Sequence, residues 1–123
     1  MELNELVKMQ FDFDDKHGWN PVENDIRELI IVLHKDLVGL YGEIGELSNI
    51  LKKIALVEKK LSSEDLNSLF EARKENLAEE LIDSLIYMMR IASNLKIDLE
   101  AEYLKKLKFN KERYQSYENE DKK

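Results

Sequence analysis

Cysteine is absent from the 123-residue chain, which excludes a disulfide framework, a thiolate nucleophile and a zinc-thiolate centre. One proline and four glycines leave little to interrupt helices, and no segment alternates with the period of a half-buried strand. The two histidines, His17 and His34, are too few for an imidazole-rich metal site. A ferritin-like di-iron centre would place histidine three residues after a glutamate, and neither Glu43 nor Glu80 is followed that way. No apolar run approaches a membrane span, and the stretch from Met1 to Glu5 lacks the basic-then-apolar order of a signal peptide. Basic residues are the minority, 19 against 26 acidic for a formal charge of −7. That balance argues against a general nucleic-acid binder and leaves room for an acidic site that recruits divalent cations. The expectation is one all-α domain over residues 1–123, cytoplasmic and not membrane-bound.

Leu3, Leu6, Val7 and Phe11 recur at helical spacing, predicting a short first helix that ends near Asp15, before Lys16-His17-Gly18. Asn20-Pro21-Val22-Glu23 reads as the next helix start, with Asn20 as N-cap. From Ile26 to Ile54, apolar residues three and four apart predict one long amphipathic helix, with an interruption near Asn24-Asp25 allowed for. A connection at 57–60 follows, then Ser62 or Ser63 as a cap. Residues 63–74 form either a separate helix or the start of the next one. The helix from about Glu75 to Leu95 is apolar around most of its circumference, which predicts burial on several sides. Its polar residues Asn76, Glu80, Asp83, Tyr87, Arg90 and Asn94 form a single stripe. Asp98 is the expected N-cap of a last helix, and residues 118–123 a frayed charged tail.

Two acid pairs stand out, Glu43 with Glu46 and Glu80 with Asp83, each three residues apart and so on one helix face. Either pair alone also fits a solvated surface. Glu80 and Asp83, however, lie on the most apolar helix, and buried carboxylates require partners, of which a cation satisfies several at once. All-oxygen ligation suits Mg²⁺, or Mn²⁺ as a substitute, better than zinc or copper. Gly39 and Gly42 lie one turn before the two glutamates of the first pair. At about 1 kcal/mol each relative to alanine, they suggest a close approach to the backbone there. His17, in the break beside Trp19, is a candidate pocket residue, and His34 a surface or core one.

Lys106, Asn110 and Arg113 form a cationic stripe on the last helix. A solvated helix end would look similar, but acids able to hold Mg²⁺ together with bases able to hold phosphate are what a nucleotide polyphosphate requires.

Gly42-Glu43-Ile44-Gly45-Glu46-Leu47, Glu79 to Tyr87, Ile97-Asp98-Leu99 and the ending Lys106, Asn110, Arg113-Tyr114 resemble the MazG-like all-α nucleoside triphosphate pyrophosphohydrolases, over about Trp19 to Tyr114. The resemblance implies a four-helix core and Mg²⁺-dependent hydrolysis of an NTP or dNTP to the monophosphate and pyrophosphate, a house-cleaning activity on the nucleotide pool. It also implies a homodimer or homotetramer with active sites near the subunit interface. Glu43, Glu46, Glu80 and Asp83 match metal ligands, with Glu43 or Glu46 as base. Lys106, Asn110 and Arg113 match phosphate or sugar contacts, Tyr87 a position near the nucleotide, and Trp19 a base-stacking aromatic. The chain departs from the family pattern in its longer interval from Glu46 to Glu80. It also lacks, after the first motif, the tryptophan that some deoxycytidine enzymes of the family have. A dUTP-specific or phosphoribosyl-ATP pyrophosphohydrolase fits the same scaffold, and a non-catalytic helical interaction protein with a structural cation site is the alternative of another class.

Overall fold

The computed structural model describes residues 1–19 and 21–121. It contains four α-helices, α1 (Leu3–Lys16), α2 (Ile26–Val57), α3 (Ser63–Leu95) and α4 (Leu99–Asp121), with one 3-10 turn at Glu58–Lys60 and no strand among the described residues. α2 and α3, 32 and 33 residues long, form an antiparallel hairpin that contributes most of the packing. α1 lies on α3, and the main contact of α4 is with α1.

Local chemistry accounts for most of the boundaries. The Asp25 carboxylate accepts from the backbone N–H groups of Arg27 and Glu28 at 3.1 and 3.2 Å and starts α2. The start expected at Asn20-Pro21 does not occur. The Val22 N–H is taken by Asn94 Oδ1 of α3 at 3.0 Å, and Asn24 adopts a left-handed φ of 63°. The chain is thus tied down to α3 before it can coil; the expected cap Asn20 lies outside the described residues. The Ser62 hydroxyl accepts from Asp65 N–H at 3.1 Å, and residues 63–74 run without a break into the rest of α3.

Lys96 ends α3 in the left-handed conformation, its N–H bonded to the Ala92 and Ser93 carbonyls. Asp98 then caps α4, accepting from Ala101 N–H at 3.0 Å and from Asn4 Nδ2 of α1 at 3.1 Å. These two donors hold its carboxyl below the usual range. Where a frayed tail is expected, the helix continues to Asp121; residues 122 and 123 lie outside the described residues.

The expected burial of α3 on several sides is not what a single chain achieves. Leu40, Met89 and Ala92 are the buried apolar residues of the hairpin, whereas Leu81 and Ile82 are 58% and 50% exposed. One hairpin with a helix laid across it has one interior, and a helix apolar all round can bury only the sector that faces it. No helix among the described residues is long and apolar enough to cross a membrane.

Candidate active site

The hairpin brings the two acid motifs together across its seam. One carboxylate oxygen from each of Glu43, Glu46 and Glu80 lies within 4.8 Å of the others. Glu80 Oε2 is buried with no hydrogen-bond partner. Once protonated, the Glu80 carboxyl can hydrogen-bond to Glu43 first and Glu46 second, and this, with burial and the like charges adding to it, pushes it up to about 7. Two carboxylates crowding a third, whose buried oxygen has no hydrogen-bond partner, fit a hard divalent cation, whose charge would replace the proton on Glu80. Asp83, half-buried and one turn further along α3, lies outside that group of three.

Seven residues back along α2 and seven forward along α3, Gly39 meets Tyr87. A Cβ at position 39 would stand 2.5 Å from Tyr87 Cε1 and Cζ, so glycine is what lets the phenol ring lie on the helix backbone. A Cβ at position 42 or 45 would meet nothing within 4 Å. The close approach expected at both Gly39 and Gly42 therefore holds only at Gly39.

Beyond Tyr87, Arg90 makes a two-pronged ion pair with Asp14 of α1, Nε to Oδ2 and Nη2 to Oδ1, each at 3.0 Å. Gln10 Nε2 adds a third donor at 2.9 Å, and Asp14 is only 4% exposed. The guanidinium lies 5.5 Å from the ring centroids of both Trp19 and Tyr87. Asp14 belongs to no motif, and reading the sequence by motifs passes over it. The available signal is its position: it continues the apolar stripe of Val7 and Phe11, where an acid must be paired.

A cavity of about 770 Å³ opens along this part of the seam, with Trp19, Asp36, Gly39, Tyr87, Arg90 and Asn94 in its walls. Gly39 and Tyr87 link it to the acid cluster further along the hairpin. His17 is not part of its lining. The imidazole stacks on Trp19 at 5.5 Å and on Phe13 at 4.3 Å, and His34 is exposed on α2.

Trp19 and Tyr87 therefore line the cavity, and Glu43, Glu46 and Glu80 form the cluster further along the seam, while Asp83 is in neither. Lys106, Asn110 and Arg113 are elsewhere, on α4, whose main contact is with α1. Lys106 reaches over the Phe109 ring at 4.9 Å, and Arg113 Nη2 donates to the Tyr114 hydroxyl at 2.6 Å.

No family model and no curated protein sequence matches the chain. In fold it is similar to a pyrophosphatase from Archaeoglobus fulgidus DSM 4304, with 23% identity and a TM-score of 0.62 over 91% of each chain. At that identity the likeness speaks to the fold.

Proposed function

We propose that this chain is a Mg²⁺-dependent nucleoside triphosphate pyrophosphohydrolase of the MazG-like type, converting an NTP or dNTP and water to the nucleoside monophosphate and pyrophosphate. The observation that carries this reading is the convergence of Glu43, Glu46 and Glu80 around an unpartnered buried carboxylate oxygen. Two others support it: the cavity opening from the same seam is of a size that takes a nucleoside, and the similar fold belongs to a protein described as a pyrophosphatase.

Glu43, Glu46 and Glu80 would hold the cation, and Asp83, three residues after Glu80 on α3, would complete the set. A bound divalent ion supplies charge neutralisation for the triphosphate and acidifies a water. Glu43 or Glu46 would take the proton of the water that attacks a phosphorus, as the anhydride bond breaks and pyrophosphate or the monophosphate leaves. Positioning and charge account for the rate, since no covalent intermediate is required.

Lys106, Asn110 and Arg113 enter this reading through a second copy of the chain. α4 lies against α1 rather than on the acid seam, and the apolar sides of α2, α3 and α4 are exposed in one chain. A homodimer that packs these sides together can bring the partner's cationic stripe to the acids.

The test is a panel of NTPs, dNTPs and inorganic pyrophosphate with Mg²⁺, scored for nucleotide and phosphate products. Monophosphate and pyrophosphate in equal amounts are expected. Inorganic phosphate as the main product, or turnover of pyrophosphate alone, would reject the reading, and no turnover of any nucleotide would favour the interaction protein. Glu46→Gln should abolish turnover while leaving the helical circular dichroism intact.

A further inference from the structure

We propose that Asp36 makes the cavity selective for nucleotides whose base carries an exocyclic amino group, that is adenine, cytosine or guanine, over uracil and thymine. This rests on the nucleotide reading above and adds a choice among bases that the acid cluster does not make.

The polar groups in the cavity wall divide into those already committed and those still open. Asp14 receives two hydrogen bonds from Arg90 and one from Gln10. Asn94 is engaged at both ends, accepting from Val22 N–H at 3.0 Å and donating to the Arg90 carbonyl at 3.1 Å. Asp36 is different. It lines the cavity, is half-buried, and has no hydrogen bond or ion pair among the described residues. Burial raises its carboxyl above the ordinary range, with Arg90 and Lys35 opposing and Asp14 adding. A carboxyl in that condition has room for a donor from a bound molecule.

Its position suits a base edge. Asp36 lies seven residues before Glu43 on α2, about 10 Å along a helix, comparable to the reach of a nucleoside from its 5′ phosphate to the far side of the base. Trp19 and Tyr87 provide aromatic wall along that path. An ionised carboxylate only accepts hydrogen bonds. The amino groups of cytosine, adenine and guanine donate from outside the ring; uracil and thymine donate only through the ring N3–H, which a carbonyl oxygen flanks on each side, so a carboxylate that accepts from it also faces two acceptors. A site that uses a polar group to read a substrate N–H disfavours analogues that set acceptors beside it, and a charged acceptor that keeps part of its hydration should discriminate by about 10- to 100-fold.

Two readouts test this. The first is kcat/KM for dATP, dCTP, dGTP, dUTP and dTTP with Mg²⁺. The second is the affinity of the five corresponding deoxynucleoside monophosphates, read from the fluorescence of Trp19, the chain's one tryptophan. Both are repeated on Asp36→Asn, whose amide can donate to a carbonyl. The amino-bearing bases should lead by about 10- to 100-fold in each series, and Asp36→Asn should shrink that lead by raising uracil and thymine. Equal or better handling of dUMP and dTMP by the native chain, an unchanged ratio in the variant, or no monophosphate binding at all would overturn it. Should no triphosphate be turned over, the pyrophosphohydrolase reading fails, while the monophosphate ratios still decide the role of Asp36.

Discussion

At the scale of single residues, Glu80 governs the acid cluster. Its carboxyl is pushed up to about 7 from an ordinary value of 4.5 by the neighbouring Glu43 and Glu46 carboxyls. A raised folded pKa means the native state binds the proton more tightly. The stabilisation is present in full below about 4.5 and is lost as pH rises through about 7. A divalent cation must displace that proton, so the Mg²⁺-induced rise in melting temperature should be larger near pH 8 than near pH 6. Glu80→Gln should abolish both the metal shift and its pH dependence. Equal shifts at the two pH values would mean that the cation binds elsewhere. Asp14 and Arg90 are a second residue-scale case. Asp14→Asn leaves the guanidinium without its counter-charge, and denaturant unfolding should register a loss of about 3 kcal/mol, the low end for a broken buried pair, because Arg90 keeps 24% of its side chain exposed.

At the scale of elements, the three glycines of α2 separate by sign. Gly39→Ala must push the Tyr87 ring off the helix, since the added methyl group would stand 2.5 Å from it; stability should fall and nucleotide affinity with it. Gly42→Ala and Gly45→Ala meet nothing within the chain, so each should stabilise an isolated chain by about 1 kcal/mol. If thermal melts show Gly42→Ala destabilising instead, a second chain packs against that face. Elements are also the scale at which the sequence is most legible. Spacings of three and four predict α2 and the acid-bearing part of α3, and Ser62 and Asp98 serve as the caps they resemble. The seam is partly legible, because acids on an apolar stripe demand partners. Two features are not. Asn20-Pro21 reads as a helix start by local rules, yet the Val22 N–H is captured by a side chain 72 residues away. Asp14 meets Arg90 across 76 residues, and Asp36 sits in a wall that exists only once α1 crosses the hairpin. Contacts of that range leave no mark on local periodicity.

At the scale of the whole molecule, the imbalance between apolar surface and interior is what most needs a partner. Leu81, Ile82, Tyr103, Leu104 and Phe109 are each half exposed or more, apolar side chains on α3 and α4 that a second chain could cover. Sedimentation should find a dimer or tetramer at micromolar concentration. If the partner's α4 serves the acids, a mixture of two inactive variants, Glu46→Gln and Arg113→Ala, should regain activity on subunit exchange, because a mixed dimer restores one complete set. Failure to complement between variants that demonstrably exchange would leave the cationic stripe out of the site.

The division of labour between the hairpin and its flanking helices also has a consequence in time. Every acid of the cluster belongs to α2 or α3, which are joined by one short turn. The cavity needs α1, held through the long-range pair of Asp14 with Arg90. Closing the shorter loop costs less chain entropy, so the cation centre should assemble before the chamber beside it. In refolding experiments the helical signal should therefore lead the fluorescence of Trp19, and a cation supplied at the outset should accelerate the first phase while leaving the second unchanged. A chain with the proposed activity would acquire its cation before it could tell one nucleotide from another.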